Sequence, residues 1–147
     1  MKNILLISSI LISLLVFRNS ITLGAGESDN GDMPKKNLDT YYLNGKEQAY
    51  NGNYESAIKY LKKSIKNDSK NADTFNLLGY SNRKLGKNKE AFKYYDKALE
   101  LDPRHRGTHE YIGRLYLNLS QPKKAKEHLD KLDSICIFGC DEYTTLK

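Results

Sequence analysis

The sequence predicts an all-α fold, a solenoid of three stacked helical hairpins, and two observations carry that reading. Gly45, Gly79 and Gly113 recur every 34 residues, and Ala57, Ala91 and Ala125 repeat the interval twelve residues after each glycine. Self-similarity at a fixed period of this length marks an array of supersecondary units. The second observation is hydrophobic periodicity. Tyr54, Ala57, Ile58, Leu61 and Ile65 fall on one helical stripe, as do Ala91, Phe92, Tyr95, Ala98 and Leu99, and no run alternates as a β-strand does.

Met1 and Lys2 lead into an apolar stretch, Ile4 to Phe17, relieved only by serines, and then into the small-residue run Leu23-Gly24-Ala25-Gly26. That stretch is shorter than the roughly 20 apolar residues that span a bilayer as a helix. Residues 1–24 are therefore expected to be a secretory signal peptide, with the mature chain starting near Ala25 to Glu27. An uncleaved signal anchor is the alternative, and contact with a membrane is expected only through such a segment. Residues 25–37 are small, polar and turn-rich, with almost nothing apolar to bury, and are expected to form a flexible linker.

The repeats are expected over residues 38–71, 72–105 and 106–139. Other positions keep the same register: Tyr41, Phe75 and His109; Leu61, Tyr95 and Leu129; Ser64, Ala98 and Leu132. Each unit reads as two amphipathic helices. A glycine on the first, facing an alanine on the second, would let the backbones cross closely, with aromatics filling the space beside them. Asn51-Gly52-Asn53 and Leu85-Gly86-Lys87 supply glycine where a helix end needs a left-handed residue. Pro122 suits a first helical turn, where its missing N–H costs little, and Asp102-Pro103 stops the helix before it.

With these residues in place, the chain resembles the tetratricopeptide repeat family over roughly residues 38 to 139. The second copy is the best match, with Phe75, Leu78, Gly79, Ala91, Tyr95, Ala98 and Pro103 at the family's positions. The first keeps Tyr41, Gly45, Gly52, Tyr54, Ala57 and Leu61, but has Asn44 and Gln48 where the family prefers Leu and Tyr. The third keeps Ile112, Gly113, Tyr116, Ala125 and Leu129. The resemblance implies that the first helices line a concave face. The residues it places there are Tyr42, Lys46 and Tyr50; Asn76, Tyr80 and Arg83; Glu110, Arg114 and Asn118. Rings beside cations make a wall suited to a peptide. The family's clamp for an acidic C-terminus is not matched, because Leu77, Gly107 and Tyr111 stand where it has polar or basic residues.

Cys136 and Cys140 are the only cysteines, and in an exported chain they read as a local disulfide. Gly139 lies between them and can end the helix, leaving the sulfurs free to meet. The alternative is a small periplasmic redox or metal-handling protein, although zinc needs two more ligands and thioredoxin-type chemistry needs C-x2-C. The segment Cys136 to Tyr143 also resembles a tail in small secreted proteobacterial tetratricopeptide proteins. That likeness implies a short capping helix in residues 140–147, with Asp141 as its N-cap and Glu142 in its first turn.

His105 and His109 are spaced as a metal pair could be, but the first falls in a turn and the second at a packing position; His128 has no demanding partner. No catalytic triad, carboxylate pair or phosphate loop assembles from the rest, so the chain is expected to be no enzyme and to carry no cofactor. The formal charge is +6, with lysines and acids interspersed along predicted helices. This is the pattern of a solvated surface and not of a nucleic-acid-binding patch. A protein–protein interaction module in the bacterial cell envelope, holding a partner polypeptide, is the expectation that results.

Overall fold

A computed structural model describes residues 39–147. The expected signal peptide and nearly all of the expected linker lie outside the described residues. The described part contains α1 (Thr40–Tyr50), α2 (Tyr54–Asn67), α3 (Ala72–Lys84), α4 (Asn88–Leu101), α5 (Arg106–Asn118), α6 (Pro122–Ile135) and α7 (Asp141–Leu146). The expected all-α solenoid is what forms.

Local chemistry sets the helix starts. The Asp39 carboxylate accepts from the Tyr41 N–H, the Asn71 carbonyl oxygen from Thr74 N–H, and His105 Nδ1 from Thr108 N–H, so each first helix has a side-chain N-cap. Pro122 opens α6 at its first turn, and Asp102, extended at φ −139° before Pro103, closes α4. The first two hairpins turn through left-handed glycines, Gly52 at φ +82° and Gly86 at φ +73°. The third uses Ser120 at φ +57°, a conformation that ordinarily favours glycine.

Buried Ala49, Ala57, Leu61, Phe75, Leu77, Leu78 and Ala98 form one core cluster, and Ala91, Tyr95, Ile112 and Leu115 form a second. Polar contacts key the copies to one another. Ser64 and Thr74 hydroxyls meet at 3.2 Å, and the Thr108 hydroxyl donates to Asn76 Oδ1 at 3.1 Å. These groups are buried, so an unpaired one would carry the full cost of desolvation.

Two expectations need correction. The residue lodged against the first two glycines is not the alanine but the one a turn further on: a Cβ on Gly45 would lie 2.6 Å from Leu61 Cγ, and one on Gly79 2.4 Å from the Tyr95 ring. An i+4 residue faces back along its helix toward the preceding turn, which brings the larger side chain to the crossing. In the third copy the nearest atoms belong to neither Ala125 nor Leu129 but to Leu146 of α7, 2.4 Å from such a Cβ on Gly113. Leu129 is only half-buried, whereas Leu61 and Tyr95 are fully buried. The other correction concerns the C-terminal turn. Helix α6 stops at Ile135, Gly139 serves the following loop at φ +84°, and Cys140, not Asp141, is the residue before α7.

A six-residue helix is not stable by itself. Helix α7 is held by the Cys136–Cys140 disulfide at its entry and by Leu146, 7% exposed, at its exit. Leu146→Ala should therefore cost about 2 kcal/mol, the low end for a buried leucine because its helix is only six residues long. A denaturation midpoint equal to the parent's would show that Leu146 does not anchor the cap.

Candidate functional site

The backbones of α1, α3 and α5 approach one another in series, while those of α2, α4 and α6 stand further apart. The first helices are thus the inner row, and their shared face is the concave one. A cavity of about 470 Å³ opens along it, bordered by Tyr50 of α1, Asn76 of α3, Glu110 and Tyr111 of α5 and Glu142 of α7. The α4–α5 turn contributes Asp102, Arg104 and His105.

The structure divides the expected face. Tyr50, Asn76 and Glu110 border the cavity, with Tyr50 59% exposed and the other two largely buried. Arg114 lies behind Glu110 and donates to it at 3.0 Å. Tyr42 packs against the core, where burial raises its hydroxyl to a pKa of about 12. Lys46 and Asn118 are exposed and do not border the cavity.

Tyr80 and Arg83 belong to an aromatic stack beside the cavity. The Tyr80 ring lies 5.0 Å from Tyr111, 6.0 Å from Tyr54 and 6.4 Å from Tyr50, and the Arg83 guanidinium stands 5.5 Å from both the Tyr80 and Tyr111 rings. Cation and rings immobilise one another, each contact contributing about 0.5–1 kcal/mol or more when desolvated. Burial raises the Tyr111 pKa to about 12 and moves the fully buried Tyr95 hydroxyl further in the same direction. Arg83, directed at the Tyr95 hydroxyl, opposes that shift.

The carboxyl of Glu110 is raised above its ordinary range by burial first. Arg114 opposes the shift, and the facing Glu142 adds to it. Glu142 itself lies 3.7 Å from the exposed Arg106. His105 combines two roles. With Nδ1 accepting from Thr108, its Nε2–H is the donor to Asp73 at 3.0 Å, which ties the α4–α5 turn to α3.

Sequence reasoning missed Tyr111, His105 and Glu142 as parts of this face. Tyr111 stands in register with the buried Leu77, so a tyrosine at a leucine position was the available signal. Glu142 has no counterpart in the repeat, and only the folding back of α7 brings it in.

Among the described residues, no three His, Cys, Asp or Glu side chains cluster as metal ligands. His109 and His128 pair with one another, Nδ1 to Nδ1 at 3.0 Å, on the α5–α6 side of the third copy.

The tetratricopeptide repeat family matches residues 72–105 and, through a second of its models, residues 38–71. No curated protein matches the chain. Among solved structures, the crystal structure of MamA is similar at TM-score 0.65 and 24% identity, covering 75% of this chain. A MamA mutant and a MamA structure labelled AMB-1 both superpose at TM-score 0.58 and 21% identity, each covering 73% of this chain. The chain spans 64%, 59% and 58% of those three proteins, less than two thirds of their length. These likenesses establish the fold.

Proposed function

We propose that this chain, a tetratricopeptide repeat protein, is a scaffold for another protein and holds a segment of its partner in the groove along α1, α3, α5 and α7. The observation that carries this reading is the cavity itself. Its polar and aromatic lining projects from helices whose packing is already supplied by Leu61, Leu78, Tyr95 and the repeat glycines. Ring faces and charges left over from the core are what recurrent anchor residues in interfaces are made of. The apolar run in residues 1–24 supports a place outside the cytoplasm, in the periplasm or at the outer face of the cytoplasmic membrane. A disulfide survives best in such a compartment.

Tyr80 is not a clean probe of binding, because its ring is shared with Tyr50, Tyr54 and Tyr111 and packs on the core. Tyr50 is the better one, being exposed at the groove's edge. A photo-crosslinking side chain in place of Tyr50, introduced into the full chain in its producing cell, should give discrete protein adducts. The same group in place of Lys63 on α2 should not. For the partner so identified, Tyr50→Ala is expected to weaken binding by about 1–2 kcal/mol. Equal adducts from both positions, or none from Tyr50, would refute the groove.

A further inference from the structure

The loop between α6 and α7 serves neither the repeat packing nor the groove. At its tip Ile137 and Phe138 are 78% and 101% exposed, more than any other large apolar residue among the described ones. The loop is held firmly. Gly139 N–H donates to the Cys136 carbonyl at 2.9 Å, and the Cys136–Cys140 disulfide closes the same five residues. The turn asks only for Gly139 at φ +84°, so the bulk of Ile137 and Phe138 contributes nothing to the fold. An apolar knob fixed in water is a surface suited to a contact.

Helix α6, which leads into this loop, is charged against its own dipole. A helix favours acids in its first turn and bases in its last. Helices α2 and α3 follow that rule, with Glu55 and Lys66 on the one and Asp73, Arg83 and Lys84 on the other. Helix α6 reverses it, with Lys123 and Lys124 but no acid in its first turn, and Asp133 but no base in its last. Lys123, Lys126, Asp130 and Asp133 are all exposed and fall on one helical stripe, basic at the N-terminal end and acidic at the C-terminal end. At the basic end Ser120, Gln121, Pro122, Lys123 and Lys124 line an open cavity of about 370 Å³ whose accessible wall is mostly apolar. Knob and cavity, acidic end and basic end, thus lie at opposite ends of one helix. A surface complementary to its own reversed copy is what a twofold interface requires.

We propose that two copies of this chain pair through α6, antiparallel about a twofold axis, each placing Ile137 and Phe138 in the Ser120–Lys124 cavity of the other. That register brings Lys126 of each copy opposite Asp133 and Ser134 of the other, and the two helix dipoles oppose one another. Asp130 falls near the axis, where Lys126 of the same chain, at 2.7 Å, already neutralises it. A lipid surface fits the knob less well, because from residue 131 to 147 the acids Asp133, Asp141 and Glu142 outnumber the bases Lys131 and Lys147, and anionic headgroups would repel them. The pairing stands independently of the groove reading. No residue of α6 or of its loop borders the groove cavity, so the dimer presents two open grooves. A partner carrying two binding segments is then held more tightly than either segment alone would allow.

Sedimentation equilibrium of the full chain should show a monomer–dimer equilibrium that stops at two copies. Phe138→Ser should weaken the dimer about tenfold or more, because the knob enters the interface twice. Lys126→Glu and Asp133→Lys should each weaken it by about the same factor. A mixture of those two variants should associate about as well as the parent, since the mixed pair sets Glu opposite Lys at one contact and Lys opposite Asp at the other. All three positions are exposed and the Lys126–Asp130 pair is a surface one, so the variants should keep the parent's urea midpoint. A benzoylphenylalanine in place of Phe138, irradiated in the producing cell, should give an adduct of twice the chain's mass joined within residues 120–124. A monomer at every concentration up to about 1 mM, a dimer indifferent to Phe138→Ser, mixed variants that associate no better than either alone, or adducts only to lipid or to another protein would each overturn the pairing. Association through the apolar run of residues 4–17 would ignore all three substitutions and so counts among the overturning results.

Discussion

Replacing Gly79 by alanine should destabilise the protein by about 1–3 kcal/mol, and replacing it by leucine should cost more. The direction is opposite to what the helix alone would give, since Ala is favoured over Gly in a helix interior by up to about 1 kcal/mol. The added methyl would sit 2.4 Å from two carbons of the Tyr95 ring, a separation real side chains do not adopt. Nor can the ring give way. Tyr95 is fully buried, is clustered with Ala91, Ile112 and Leu115, and lies 6.3 Å from the Tyr111 ring. Gly79 is also in the central copy, which has neighbours on both sides, so a displaced Tyr95 disturbs two interfaces. Gly107→Ala is the matched control, because its Cβ would find only ordinary contacts at 3.5 Å and beyond. Urea midpoints for the two variants should fall on opposite sides of the parent, or the control should at least equal it. A Gly79→Ala protein as stable as the parent would mean that Tyr95 is not lodged in the glycine's space.

The repeat was legible because it is a pattern of sizes. Glycine, alanine and large apolar residues returning at one interval can be read along a line, and they fix which helices pair and roughly where each begins. What they do not reveal is which large residue fills which small one's place. Gly113 shows the limit: the sequence set Ala125 against it, while Leu146 arrives from a helix outside the repeat. The groove was half legible for the same reason. Tyr50, Asn76 and Glu110 followed from register. Glu142 depends on where the disulfide turns the chain, and Tyr111 and His105 depend on the stagger of neighbouring copies. None of these is a property of one repeat read alone. Asn76 is buried and accepts from Thr108 while Lys46 on the same expected face is exposed, because burial, and not position in the repeat, decides which polar groups must find partners.

Acid should unfold this protein earlier than the His128→Gln variant, with the difference developing between about pH 6.5 and pH 4. The His109–His128 pair is built to be neutral. His109 Nε2–H donates to the Pro103 carbonyl at 3.1 Å, which leaves Nδ1 as an acceptor, so His128 Nδ1–H is the donor across the 3.0 Å contact. A proton on His109 Nδ1 would oppose N–H to N–H, and a proton on His128 would charge a ring withdrawn from water. Burial lowers the His128 pKa to about 4, with His109 adding to the effect. Burial also lowers that of His109, assisted by Lys131 and His105 and opposed by the Pro103 carbonyl and Asp102. As pH falls below the unfolded value near 6.5, the unfolded chain takes up protons that the folded one refuses, so stability is lost until the folded His128 titrates near pH 4. A tenfold difference in proton affinity between the two states is worth about 1.4 kcal/mol, so the loss approaches about 2–3 kcal/mol after allowing for the partial exposure of His128. Asp96 and Glu110 pull the other way, because burial raises their carboxyls and the folded state then holds protons more tightly. The parent's pH profile alone is therefore a mixture, and the comparison with His128→Gln isolates the pair. Glutamine can still donate to His109 Nδ1 but cannot take a proton in this range. Stability of parent and variant measured by urea at pH 7 and pH 4.5 should diverge on acidification. Parallel losses in the two would show that the pair is not what makes the fold acid-sensitive.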